Sequence, residues 1–191
     1  NDAAIRRVLV LAIESLGTPP CEFAFLALGS EGRREQTLAT DQDNAIIYAD
    51  SGAADAATVE QYFRQLGAFT CRALNEAGYP YCPGEVMAMN PKWCQPLSVW
   101  KGYFTDWITT SNPQDLLDIS IFFDFRCIYG VESLGDQLRD HVFSVASGYH
   151  SFFAYLTQNA LRIKPPSWQF KTAETTDIKN AMLTIADSAR I

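Results

Sequence analysis

An α+β fold is what the sequence predicts, with strands and helices over residues 1–95 and an all-helical domain over 96–191. Three observations carry that expectation. Residues 22–28 and 44–50 are short aromatic or aliphatic runs closed by Gly or Ser, as buried strands are. Around them, apolar residues recur at helical spacing. Beyond residue 95 the segments are long enough and suitably punctuated for helices. With 48% hydrophobic residues among 191, the chain can bury a sizeable core, so disorder is not expected.

Residues 2–16 place Ile5, Val8, Leu9, Ala12, Ile13 and Leu16 on one helical face, with Asn1 or Asp2 as cap and Gly17 and Pro19-Pro20 as the stop. "EFAFLAL" (22–28) runs as a strand into Gly29-Ser30, and "NAIIYAD" (44–50) is a second strand closing at Ser51-Gly52. From 55 to 75, Val59, Tyr62, Phe63, Leu66, Phe69, Ala73 and Leu74 form a helical face ended by Gly78 and Pro80. "EVMAM" (85–89), between Pro83-Gly84 and Asn90-Pro91, is expected as a third strand. Helices are expected over 96–109, 113–130, 133–147, 150–163 and 177–191. Residues 119–125, "ISIFFDF", would serve equally as a buried strand; the helix is preferred.

The longest apolar runs are about six residues, against roughly 18 to 20 needed to span a bilayer, so no membrane helix is expected. A first residue of Asn implies a piece excised from a longer chain. Five widely spaced cysteines without a C-x-x-C pair read as free thiols in a reducing cytoplasm, and only two histidines, His141 and His150, argue against structural zinc. The formal charge of −7 disfavours nonspecific nucleic-acid binding. Trp93, Trp100, Trp107 and Trp168 read as core residues rather than stacking platforms.

The chemistry concentrates in "GSEGRREQTLATDQDNAIIY", residues 29–48. It fits neither a Walker loop, lacking the Gly-Lys-Ser/Thr end, nor an EF-hand, since Ala45 and Ile46 follow the aspartates. In an extended segment Asp41 and Asp43 project from one face and present two carboxylates able to share hard divalent cations such as Mg²⁺, singly or as a two-metal site. Gly29 allows close backbone approach, Ser30 offers a hydroxyl beside exposed amides for a triphosphate, and Arg33 and Arg34 can neutralise phosphate oxygens.

Gly29-Ser30, ten residues, then Asp41-x-Asp43 resembles the signature of the DNA polymerase β-like nucleotidyltransferases. More closely, "ALGSEGRREQTLATDQDNAIIY", "VMAMNPKW" and "IFFDFR" resemble the nucleotidyltransferase domain of unknown function 294, which partners cyclic-nucleotide-binding and CBS modules in bacterial signalling proteins. That family is similar to the N-terminal domain of the enzyme that uridylylates the PII regulatory protein. The resemblance implies a small mixed sheet with helices, a triphosphate contact at Ser30 and Mg²⁺ on Asp41 and Asp43. Gly32, Arg33 and Glu35 match the family's G-R-x-E. A third carboxylate is common in the superfamily, and Glu85 is the first choice for it, with Glu76 and Asp124 as alternatives.

The expected activity is transfer of a nucleoside monophosphate from ATP or UTP to an acceptor hydroxyl, on a regulatory protein or a small molecule. A nucleotide-sensing or interaction module without a working third carboxylate is the first rival. A glycosyltransferase, which also uses D-x-D, leaves Gly29-Ser30 unexplained, and RNA tailing conflicts with the acidic charge.

Overall fold

The computed structural model describes residues 1–35, 40–51, 56–110, 119–149, 152 and 154. Its centre is a four-stranded mixed sheet in the order β3-β2-β1-β4. Strands β1 (Phe23–Ala27) and β2 (Asn44–Tyr48) pair antiparallel, Phe23 opposite Tyr48 and Ala27 opposite Asn44. β3 (Cys94–Pro96) lies parallel to β2, and β4 (Arg126–Gly130) antiparallel to β1.

Every residue of β1 and β2 is buried, because helices cover both faces of the sheet. Alternate side chains sort to opposite sides. Phe23, Phe25, Ile46 and Tyr48 meet helices α1 (Asp2–Leu16) and α3 (Ala56–Glu76) through Leu9, Ala12, Phe63 and Leu66. Ala24, Leu26, Ala45 and Ile47 meet α4 (Leu97–Thr110) and α5 (Glu132–Ala146) through Trp100, Phe104, Leu134 and Leu138. Trp100 is 1% exposed, and its indole N–H donates to the Ile46 carbonyl at 3.0 Å, fastening α4 to the sheet. Trp93 is buried against Trp100 and Phe122, so these tryptophans are core. His141 joins α5 to α4 through Thr105, 2.8 Å away. The short helical turn α2 (Gly29–Gly32) follows β1 directly.

The expected α1, β1, β2, α3 and the helices α4 and α5 are all present. Three expectations are corrected. Residues 85–89 form turns rather than a strand: Glu85 has φ 56°, Met87 and Ala88 are buried, and Val86 packs against the core while its carbonyl accepts from Asn44 N at 3.1 Å. The third strand is instead Cys94–Pro96, three residues ahead of α4. The described part of the second half is not all helical, since residues 126–130 supply β4, and Ser120–Phe122 is a 3-10 turn. The sheet therefore takes strands from both sides of residue 95. Helices expected over 150–163 and 177–191, together with residues 111–118, lie outside the described residues apart from Phe152 and Ala154, which are helical. No described helix is long and apolar enough to cross a membrane.

Candidate functional site

The site forms where β1 ends and β2 begins. The pairing of these strands continues past β1, with Leu28 N–H donating to the Asp43 carbonyl at 2.9 Å. That bond sets the α2 turn beside the aspartates. Gly29 opens α2 at φ 53°, a conformation that favours glycine, and Ser30 follows with a hydroxyl that has no hydrogen-bond partner among the described residues. Gly32 is required by close approach: a Cβ there would sit 2.1 Å from the Asp124 carbonyl oxygen.

Alternation along residues 41–44 sends Gln42 and Asn44 to one side and Asp41 and Asp43 to the other. Gln42 and Asn44 are 3% and 1% exposed. Gln42 Nε2 donates to the carbonyls of Cys71 and Tyr79 at 3.0 and 2.8 Å, and Asn44 Oδ1 accepts from Ala88 N at 2.8 Å. Asp41 and Asp43 take the intervening positions. A bridge between Gln42 and Tyr81 brings the loop after α3 alongside, and with it Cys82. One carboxylate oxygen of Asp41, one of Asp43 and the Cys82 sulfur all lie within 4.8 Å of one another. Two carboxylates and a thiol at this spacing form a donor set that fits a divalent cation. Burial, with the neighbouring Asp43, pushes the Cys82 thiol pKa up.

Glu85 is not part of this cluster; it is exposed on its turn, its carbonyl accepting from Asn90 Nδ2 at 3.2 Å. Glu76 is exposed at the end of α3. Asp124 is ion-paired to Arg33 Nη1, with side chains 9% and 4% exposed. Arg33 also donates through Nε to Glu35 at 2.8 Å, so its guanidinium is committed inside the protein. Arg34, at φ 61°, is exposed and lines a cleft of about 950 Å³ with Asp2, Arg6, Glu31, Thr40 and Tyr79. Arg126 closes the base of this region, bonding both oxygens of Asp2 at 2.8 and 3.0 Å and the carbonyls of Glu31 and Gly32 at 3.1 and 3.2 Å.

Sequence reasoning missed Glu31 and Cys82. Glu31 is 6% exposed, and burial, then the charge of Asp2 and more weakly that of Asp43, raise its pKa to about 7. Its position directly after Ser30 was the available signal. Cys82 reads as an ordinary buried thiol until the fold brings its loop against β2.

Comparison with curated proteins returns no match. The family described as Putative nucleotidyltransferase DUF294 matches residues 1–114, which span α1 to the end of α4 and the whole aspartate cluster. Over that majority of its length, the chain belongs to the DUF294 nucleotidyltransferase family.

Proposed function

We propose that this domain transfers a nucleoside monophosphate from ATP or UTP to an acceptor hydroxyl, with Mg²⁺ held by Asp41 and Asp43. The observation that carries the reading is the Leu28 to Asp43 backbone bond, because it sets Gly29-Ser30 and the paired carboxylates at one strand-end cleft. The α2 amides and the Ser30 hydroxyl bind the triphosphate, and the exposed Arg34 guanidinium offsets its charge. Bound Mg²⁺ supplies Lewis-acid stabilisation of the phosphoryl oxygens. The acceptor hydroxyl oxygen attacks the α-phosphorus and loses its proton to solvent as the bond to the bridging oxygen breaks, and pyrophosphate leaves with that bond's electrons. Buried Gln42 and Asn44 hold the two aspartates in register throughout. A regulatory protein or a small molecule serves as acceptor, in a cytoplasmic signalling protein that also carries cyclic-nucleotide-binding and CBS modules.

A second reading, a nucleotide sensor, is favoured by one observation: the third member of the cluster is a thiol, and Glu85 stands outside it. A thermal-shift panel of nucleoside triphosphates with Mg²⁺, run on wild type and Asp41→Asn/Asp43→Asn, tests the common part. Wild type is stabilised by at least one nucleotide and the variant is not; equal responses, or none, overturn the site. Pyrophosphate release across a panel of acceptors then separates transferase from sensor.

A further inference from the structure

The geometry points to Cys82 as a third ligand of the cation site on Asp41 and Asp43, which gives that site a preference for thiophilic divalent ions such as Zn²⁺ over Mg²⁺. The inference rests on the reading above that the two aspartates hold a cation. Ligand bonds of about 2.0 to 2.3 Å at tetrahedral or trigonal angles place the donors of one ion roughly 3.3 to 4 Å apart. The three donor atoms lie within 4.8 Å of one another, so side-chain rotations of about an ångström bring them onto one ion.

Three features of the surroundings agree. Asp41 makes no hydrogen bond or ion pair among the described residues, so its oxygens are available. Glu31, more than nine-tenths buried and also without a side-chain hydrogen bond among them, lines the adjoining cleft beside Thr40, close enough to feel the charge of Asp43. The sulfur is held in place by structure on both sides: Tyr81 bridges to Gln42, and the Cys82 N–H donates to Met87 Sδ at 3.4 Å. Two carboxylates and a sulfur thus converge at one strand end, and a divalent cation is the partner that takes all three. Mg²⁺ takes oxygen donors, whereas thiolate suits Zn²⁺ and its softer congeners. On binding, the S–H bond breaks, the sulfur donates its electron pair to the ion, and the proton leaves to solvent.

Cadmium is the probe, because thiolate coordination to Cd²⁺ gives an ultraviolet charge-transfer band that carboxylates alone do not. The whole chain is titrated with Cd²⁺ as wild type, Cys82→Ser, Cys82→Asp and Asp43→Asn, with circular dichroism verifying that each is folded. Wild type develops a saturable band that Zn²⁺ removes at near-stoichiometric amounts and Mg²⁺ only in large excess. Cys82→Ser loses the band and binds Cd²⁺ about 10- to 100-fold more weakly, the scale of losing a well-placed group at a metal site. Cys82→Asp keeps binding without the band. A band that persists in Cys82→Ser overturns the proposal. So does Cd²⁺ binding by wild type without a band; if Asp43→Asn then abolishes that binding, the aspartates hold cations alone and the nucleotidyl-transfer reading stands. No cation binding by wild type removes both.

Discussion

Arg33 offers the sharpest test of how this site is built, because sequence pattern assigns it to phosphate and the structure commits it to protein. Its side chain is 4% exposed, ion-paired to Asp124, which is 9% exposed, and to the more open Glu35 at 29%. Replacing Arg33 by Met takes the guanidinium away from a buried carboxylate, a loss of about 3 to 5 kcal/mol for a broken buried pair. The Glu35 contact adds less than about 1 kcal/mol. Against this, Arg33 Nη2 is buried without a partner among the described residues, a cost of about 1 to 3 kcal/mol that wild type already carries and the variant sheds. The balance is a destabilisation of about 3 kcal/mol, or roughly 6 to 12 °C in Tm for a chain of this size. Urea denaturation of Arg33→Met measures it, and Arg33→Met/Asp124→Leu, which removes both charges, returns to within about 1 kcal/mol of wild type. A single variant within about 1 kcal/mol of wild type that nevertheless loses nucleotide binding would refute the argument and return the guanidinium to the ligand.

Two further outcomes follow from the same region. Unfolded, the Glu31 carboxyl ionises near 4.5, while folded it keeps its proton to about 7; the unfolded state therefore binds fewer protons in that window and wild-type stability falls as pH rises through it. Glu31→Gln removes the effect, gaining about 3 kcal/mol on wild type between pH 4.5 and 7.5 in denaturation curves, and a constant difference across that range sinks the assignment. Gly32→Ala pushes a methyl to 2.1 Å from the Asp124 carbonyl oxygen and 3.2 Å from that of Ala27, both backbone atoms. A loss of about 1 to 3 kcal/mol is expected by calorimetry, and a loss under about 0.5 kcal/mol contradicts the close packing of α2 on the segment before β4.

How much of this was legible from residues alone depended on pattern length. α1 and α3 declare themselves through several turns of apolar periodicity, and β1 and β2 through complete burial between helices. β3 escaped because three residues ending in Pro carry no strand pattern, and only its pairing with β2 defines it. β4 was hidden by the apolar run before it, where Phe122 and Phe125 serve the core under α4 and not a strand. Residues 85–89 misled for the complementary reason, since Met87 and Ala88 are apolar because the loop is buried. The grouping of Asp41 with Asp43 was readable from their spacing, while Cys82 and the Arg33 to Asp124 pair join residues 39 and 91 positions apart, separations that only tertiary structure bridges. The first separation is 82 less 43, between Asp43 and Cys82.

Gln42 stands between the two aspartates, and its amide, tied to the carbonyls of Cys71 and Tyr79, anchors the tripeptide. Structural anchoring and the proposed chemistry thus fall on alternate residues of one short segment. Asp41 makes no side-chain hydrogen bond among the described residues, so on the proposed function a substitution there removes a metal ligand and leaves the Gln42 anchor and the α2 turn in place. If the domain works as proposed, an arrangement of this kind lets a lineage pass from catalyst to receptor by a single substitution at Asp41, with the Gln42 anchor kept.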